Sequence, residues 1–153
     1  MLRTLWAGVF CGVALFLAGC DEKGSGHSGD KAGHAHGTGV EVKVLSAVDT
    51  SEKLDGKESR VTTLEVTIGP GAGSPPHRHP GPVFGYVLEG EFETQLGDGP
   101  VQRLKAGDTF YEQTMVLHAV SRNPSDKNKT RVLAVLVHPR DVKELVIPEP
   151  AKK

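Results

Sequence analysis

The sequence predicts one all-β domain, a sandwich or barrel of short strands, preceded by an N-terminal export segment. The 153 residues include 19 Gly and 10 Pro, so turn formers recur throughout the chain. Alternating apolar and polar residues occur repeatedly, while no helical period lasts for three turns. The length suits a single domain. The near balance of 18 Lys+Arg and 19 Asp+Glu argues against a nucleic-acid partner, which requires a basic face.

Residues 1–19 have the anatomy of a secretory signal peptide. Arg3 precedes an apolar run from Leu5 to Leu17, which is shorter than the ~20 residues that span a bilayer. The phrase Leu17-Ala18-Gly19-Cys20 resembles the lipobox of bacterial lipoproteins. That resemblance implies cleavage before Cys20, acylation of its thiol, and anchoring to a bacterial membrane, on the periplasmic side in a Gram-negative cell. The alternative is an ordinary secreted protein with a chance cysteine near the cleavage site.

Residues 20–38 are expected to be a lipidated cysteine followed by a flexible tether. Residues 21–38 hold no Leu, Ile, Val or aromatic side chain, so the segment cannot bury enough apolar area to offset its ordering entropy. Its histidines, His27, His34 and His36, either capture metal or are simply polar linker residues. The second cysteine, Cys11, lies in the segment to be removed, so the mature domain is expected to have no disulfide.

Residues 39–148 are expected to form the β-domain, and residues 149–153 a frayed tail. Asp55-Gly56 is a hairpin-turn signal, and residues 69–76 are expected to be a loop. The most apolar run, residues 131–137, is expected to be a central strand. In order, the expected strands are residues 40–44, 60–68, 83–88, 91–96, 101–104, 109–111, 118–121, 130–138 and 144–147.

Histidines supply the candidate chemistry. His77 and His79 are two residues apart in an extended segment, so both imidazoles project to the same face. His118 begins a later strand, which a barrel can bring to the same point. Three imidazoles with an open position suit a divalent transition metal such as Fe, Mn, Zn, Cu or Ni. The spacing alone is weak support, because paired histidines are also common on surfaces.

The surroundings of these histidines resemble the cupin superfamily over roughly residues 40–138. The first cupin motif has a Gly, five intervening residues and then His-x-His, which Gly71, His77 and His79 match. It ends at a Gly, which Gly90 matches. The resemblance implies a double-stranded β-helix, or jelly-roll barrel, with one metal at the three histidines and a homodimeric assembly. The usual glutamate ligand is missing, since Val83 occupies its position.

The second cupin motif matches only in part. Gly107 and His118 fit, whereas Gln113 and Met115 stand where Pro and Gly are expected. Asn123 comes one residue later than the motif places it. The resemblance in fold is therefore closer than the resemblance in the site.

Without the usual glutamate, the expected metal site is three neutral imidazoles with an open face for water, substrate or oxygen. Thiol dioxygenases of the cupin type are similar in this respect, which keeps oxygenase-type chemistry open beside hydrolytic, isomerase and simple binding roles. Glu112 is the one catalytic candidate, either as a fourth ligand or as a general base, although its place at a strand end favours a solvent-facing charge.

Aromatic side chains near the histidines are candidates for a substrate pocket, with plain core packing as the alternative. They are Phe84, Tyr86 and Phe110. His138, before Pro139, is expected at a strand end on the surface and outside the site.

The chain is therefore expected to be a membrane-anchored, single-domain, cupin-like lipoprotein that binds or transforms a small molecule. The alternatives are a non-catalytic envelope module for a small ligand or metal, and a metal-capture protein whose tether delivers ions to the domain.

Overall fold

The computed structural model of the chain describes residues 38–150. The expected signal segment, Cys20 and the tether up to residue 37 lie outside those residues, as do residues 151–153. Every regular element among residues 38–150 is a β-strand. In this part of the chain, no helix is long and apolar enough to cross a membrane.

The strands form two antiparallel sheets that face each other, so the expected all-β class and jelly-roll architecture are confirmed. One sheet has the order β1-β2-β10-β5-β8, and the other has the order β11-β4-β9-β6-β7 with β3 also beside β9. The strands are β1 Val40–Leu54, β2 Lys57–Ile68, β3 Gly73–Ser74, β4 His77–Arg78, β5 Val83–Glu89, β6 Glu91–Leu96, β7 Gln102–Lys105, β8 Thr109–Glu112, β9 His118–Arg122, β10 Thr130–Pro139 and β11 Ile147–Pro148.

The first hairpin joins β1 and β2 at the expected turn. Asp55 and Gly56 both have positive φ angles, 50° and 79°, which is the geometry of a two-residue turn between twisted strands. β1 continues ten residues beyond the expected end at Val44, as far as Leu54. The extension is mostly exposed and pairs with β2 through two register shifts, which is why it lacks a clean alternating pattern.

The hydrophobic core lies between the two sheets. β10 is the third of five strands in its sheet, as expected for the most apolar run, and its alternate residues are buried. Apolar side chains from both sheets fill the space between them. They are Leu64, Val83, Ala134 and Leu136 in one cluster, and Ile68, Val87, Phe92 and Val132 in the other. The core surrounds a cavity, described below.

The structure corrects the C-terminal expectations. The last strand is Ile147–Pro148 instead of residues 144–147. Glu149, expected in a frayed tail, is held to the domain: its backbone N–H donates to the Pro76 carbonyl at 3.0 Å. Its carboxylate also accepts from Arg78 Nε at 2.8 Å. These contacts fasten the end of the chain over β4.

Candidate metal centre

His77, His79 and His118 come together as expected. Their candidate ligand atoms all lie within 4.8 Å of one another. His77 begins β4 and pairs directly with His118 at the start of β9, so the two imidazoles extend from neighbouring strands toward the same interior face. His79 follows two residues after His77 and reaches the same point.

Backbone carbonyls set the protonation of two of these rings. His77 Nδ1 lies 2.8 Å from the Pro75 carbonyl, and His79 Nδ1 lies 2.6 Å from the Leu145 carbonyl. A carbonyl only accepts, so Nδ1–H donates in both cases, and in the neutral ring Nε2 keeps its lone pair. This is the arrangement that orients a metal-ligating histidine.

Each ring nitrogen of His118 has a polar neighbour. Its Nε2 lies 2.9 Å from Thr94 Oγ1, and its Nδ1 lies 3.2 Å from Glu112 Oε2. In the tautomer that frees Nδ1 for a metal, Nε2–H donates to the threonine hydroxyl. His118 Nδ1 and Glu112 Oε2 are both buried without an aligned hydrogen-bond partner. These two atoms lie beside the imidazoles of His77 and His79, and an ion between the four side chains would satisfy both of them.

Glu112 lies inside the site, so the expectation of a solvent-facing charge was wrong. Only 2% of the residue is exposed, and Oε2 is 3.6 Å from His79 Nε2. Its position in the sheet explains this placement: Glu112 at the end of β8 pairs directly with Val83 on β5, and paired residues share a face. A carboxylate from the strand adjacent to Val83 thus lies beside the three imidazoles.

Burial controls the protonation of the site. Desolvation lowers the pKa of His77 to about 4, and it also lowers the pKa of His79. For Glu112, burial raises the pKa, but the neighbouring imidazoles, His118 foremost, outweigh burial and hold the pKa below its usual value. The site therefore favours neutral His77 and His79 and an ionised Glu112, which are the protonation states that bind metal.

The histidines and Glu112 form the polar end of a mainly apolar cavity of about 80 Å³. That space exceeds what a single water needs, so it can hold a metal-bound water or a small ligand. Its wall includes Val40, Val42, Leu64, Ile68, Phe92, Phe110, Leu136 and Leu145.

Of the three aromatic residues expected at the pocket, only Phe110 lines the cavity. Phe84 and Tyr86 are 53% and 42% exposed, so their assignment to the pocket was wrong. Val83 and Val87 occupy the inward positions of β5, which leaves Phe84 and Tyr86 on its outward face.

Phe92 also lines the cavity and was not anticipated. It was predictable from its neighbours: if Glu91 and Glu93 face outward on β6, the residue between them faces inward.

His138 is buried instead of exposed, although it lies outside the metal centre. Only 3% of it is accessible, and its Nε2 lies 2.9 Å from Thr62 Oγ1. The carbonyl of Pro139 accepts from its Nδ1 at 2.9 Å. Both ring nitrogens are thus satisfied inside the domain, which is a structural role.

Asn123, one residue late for the second motif, still reaches an interior position. The register between β6 and β9 shifts between Val120 and His118, so β9 contains a bulge at Ala119 that absorbs the extra residue. The Asn123 side-chain amide then donates to the carbonyls of Ile68, Gly69 and Asn128. It fastens the loop before β10 instead of serving the metal centre.

Residues 64–136 match the family model of the cupin domain. No curated protein matches the chain significantly. Among solved structures, it is similar to an uncharacterised protein with a double-stranded β-helix domain from Klebsiella pneumoniae, at 23% identity and a TM-score of 0.52, covering 68% of this chain and 80% of that one.

Two further similar structures are named enzymes. The polyketide cyclase RemF from Streptomyces resistomycificus is 20% identical with a TM-score of 0.56, covering 78% of each chain. The DMSP lyase DddQ from Ruegeria pomeroyi is 20% identical with a TM-score of 0.56, covering 74% of this chain and 54% of that one. At these identities the likeness shows the fold alone. Residues 64–136 are thus similar to the cupin domain, and the described residues have the fold of a double-stranded β-helix.

Proposed function

We propose that this protein is a metal-dependent cupin of the bacterial envelope that binds and transforms a small molecule. One divalent transition metal, Fe, Mn, Zn, Cu or Ni, would be held by His77, His79 and His118, with Glu112 as the fourth ligand. The observation that carries the proposal is the pair of unsatisfied buried atoms, His118 Nδ1 and Glu112 Oε2, beside two imidazoles whose Nε2 lone pairs are free.

The donor set fits such an ion. Three neutral imidazoles and a carboxylate carry a formal charge of about −1, so a divalent ion would keep a positive charge for polarising a bound molecule. When bound, the metal would supply Lewis acidity, and a redox-active ion such as iron would also permit oxygenase-type chemistry. The apolar wall of the cavity would exclude bulk water from that centre.

A non-catalytic binding module is the second candidate, and one observation favours it. Among residues 38–150, Glu112 is the only carboxylate that lines the cavity. If Glu112 is bound to the metal, no other carboxylate of the described cavity wall is available as a general base. Any proton transfer during turnover would then depend on a molecule bound to the metal. A protein without turnover would be a carrier or a sensor.

The test is Co²⁺ titration of the full chain with His27, His34 and His36 changed to Ala, so that the tether does not contribute. We expect one ion per domain with a visible absorption band of a low-symmetry site. Glu112→Gln should weaken binding at least tenfold, whereas Glu41→Gln, an exposed carboxylate on β1, should not. If the Glu112→Gln protein binds Co²⁺ as tightly as the parent protein, the carboxylate of Glu112 is not a ligand of the metal.

Catalysis requires a separate measurement. Metal-loaded protein would be screened against small molecules for product formation, with oxygen consumption followed when the ion is iron. Metal-dependent turnover supports the enzyme, and tight ligand binding without turnover supports the binding module.

The envelope location rests on the lipobox-like phrase ending at Cys20. Cys20→Ser should abolish incorporation of labelled palmitate and release the protein from the membrane fraction. A Cys20→Ser protein that stays membrane-bound would contradict lipid anchoring at this residue.

We also propose a homodimer, supported by an exposed apolar face on the five-stranded sheet. Phe84 pairs with Tyr111 on one side and with Val135 on the other, and Tyr86 pairs with Leu133, so these side chains are continuous across three strands. Isolated antiparallel sheets usually carry polar residues on the outer face, and a contiguous apolar one indicates an interaction surface.

A second copy fits this face because its neighbouring charges are already paired. Arg131 lies 2.9 Å from Glu65 and 3.6 Å from Glu89 within the chain. The patch is therefore apolar with a neutralised rim, which suits a two-fold contact between identical surfaces.

A further inference from the structure

Two serine hydroxyls face the same cavity as the histidines and are not explained by the metal centre. Ser74 on β3 and Ser121 on β9 are directly paired and both line the cavity. Ser121 is only 9% exposed. Within residues 38–150, neither hydroxyl is hydrogen-bonded to another group. A hydroxyl that faces a cavity and has no protein partner is placed to bind a ligand inside it.

The backbone irregularity that aims His118 inward also aims Ser121 inward. Residues three apart on a regular strand face opposite sides, but the bulge at Ala119 inserts a residue between His118 and Ser121. On the neighbouring segment, His77 pairs with His118 and Ser74 pairs with Ser121. The result is two inward polar pairs, one of histidines and one of serines, along the same strand ladder.

A glycine brings the serine pair close together. A Cβ at Gly73 would lie 2.7 Å from the Ser121 carbonyl oxygen and 2.7 Å from Arg122 Cβ, so only glycine lets β3 approach β9 this closely. The serines are three residues from the histidines, which at ~3.3 Å per residue places the pairs at most about 10 Å apart along the ladder.

The chemistry of the wall defines the molecule that would bridge the two pairs. Among the described residues that line the cavity there is no Lys or Arg, so nothing at the serine end would neutralise a charged ligand group. Hydroxyls donate to and accept from neutral oxygens. The rest of the wall is apolar.

We propose that Ser74 and Ser121 form a second polar subsite of the cavity. Its ligand is a short, mainly apolar molecule with a metal-binding oxygen group at one end and a neutral hydroxyl or carbonyl group at the other. This inference rests on the proposed metal-dependent function, since the metal would hold the first end.

The test uses the full chain with the tether histidines changed to Ala, loaded with Co²⁺. The probes are straight-chain aliphatic hydroxamates of increasing length, each with and without a terminal hydroxyl. Chelation by the hydroxamate changes the Co²⁺ absorption band, which gives the affinity. At one chain length the terminal hydroxyl should tighten binding about fivefold, as expected for one or two neutral hydrogen bonds.

Variants assign that preference to the serines. Ser121→Ala and Ser74→Ala should each reduce the preference for the hydroxylated probe without weakening the binding of the plain hydroxamate. Ser46→Ala, at an exposed position on β1, is the matched control and should keep the full preference.

The outcomes separate the two proposals. If Co²⁺ does not bind, the proposed metal centre fails and the subsite proposal fails with it. If Co²⁺ and plain hydroxamates bind but no chain length favours the hydroxylated probe, the metal centre stands and the serine subsite is wrong. A preference that survives both serine variants would also overturn the subsite.

Discussion

At the scale of single residues, the orientation of His118 depends on Thr94. The threonine hydroxyl engages Nε2 at 2.9 Å, which leaves Nδ1 toward Glu112 and the other histidines. Because the hydroxyl can accept from Nε2–H, it is compatible with the tautomer in which Nδ1 can bind a metal, and it fixes the orientation of the ring.

Thr94→Val should lower Co²⁺ affinity about tenfold, because the isosteric side chain no longer fixes the His118 ring. Titration with a competing chelator measures the loss. The structure offers a matched control in Thr62, which makes the same contact at 2.9 Å with His138, away from the metal centre. Equal metal affinity in the Thr94→Val and Thr62→Val proteins would contradict the positioning role of Thr94.

Burial of His77 makes the metal-free domain sensitive to acid. In the unfolded chain the ring titrates near 6.5, whereas in the folded domain its pKa is about 4. Between these values the unfolded state binds the extra proton, so stability is complete above pH 6.5 and decreases as the pH falls toward 4. His79 shifts in the same direction.

We expect the metal-free protein to lose about 2–3 kcal/mol of unfolding free energy through His77 alone between pH 7.5 and 4.5. Urea denaturation at the two pH values measures the loss. The His77→Gln protein should show a smaller difference, since glutamine does not titrate. The same pH dependence in both proteins would show that His77 is not the group responsible.

At the scale of strands, β5 and β8 shape the cavity through a close approach. Gly85 pairs with Phe110, and a Cβ at Gly85 would lie 2.1 Å from the Phe110 ring. Because Gly85 has no side chain, the Phe110 ring can lie over β5 and reach the cavity wall.

Gly85→Ala should therefore destabilise the domain by about 1–3 kcal/mol through overpacking. Phe110→Leu makes room for the added methyl group, so the double variant should be less destabilised than the sum of the single variants. Thermal and urea unfolding of the four proteins gives the coupling. Strict additivity would mean that the alanine does not meet the ring.

The same strands show what the sequence could predict and what it could not. Runs of apolar and β-forming residues bounded by turn formers placed β5, β6 and β10 correctly. Those runs did not decide which face of β5 is inward, because Phe84 and Tyr86 are as apolar as Val83 and Val87. Glu112 was ambiguous for a different reason: its position opposite Val83 is a consequence of strand pairing between distant segments, which no local pattern records.

At the scale of the whole molecule, the exposed aromatic face should determine the oligomeric state. Tyr86→Lys places a charge in the centre of the proposed dimer contact, where burial would be costly, and should give a monomer. Sedimentation equilibrium distinguishes the two states. Val101→Lys is the control, since Val101 is also half-exposed but lies outside that sheet. A monomeric parent protein, or a dimeric Tyr86→Lys protein, would contradict the proposed interface.

The central claim is that the domain holds one transition metal at the three histidines. Elemental analysis tests it most directly, on tag-free protein with the tether histidines changed to Ala. We predict about one metal ion per chain, and little in a variant with His77, His79 and His118 changed to Ala. A parent protein that remains free of metal after incubation with Fe, Mn, Zn, Cu and Ni would contradict the claim, as would a triple variant that binds metal equally well.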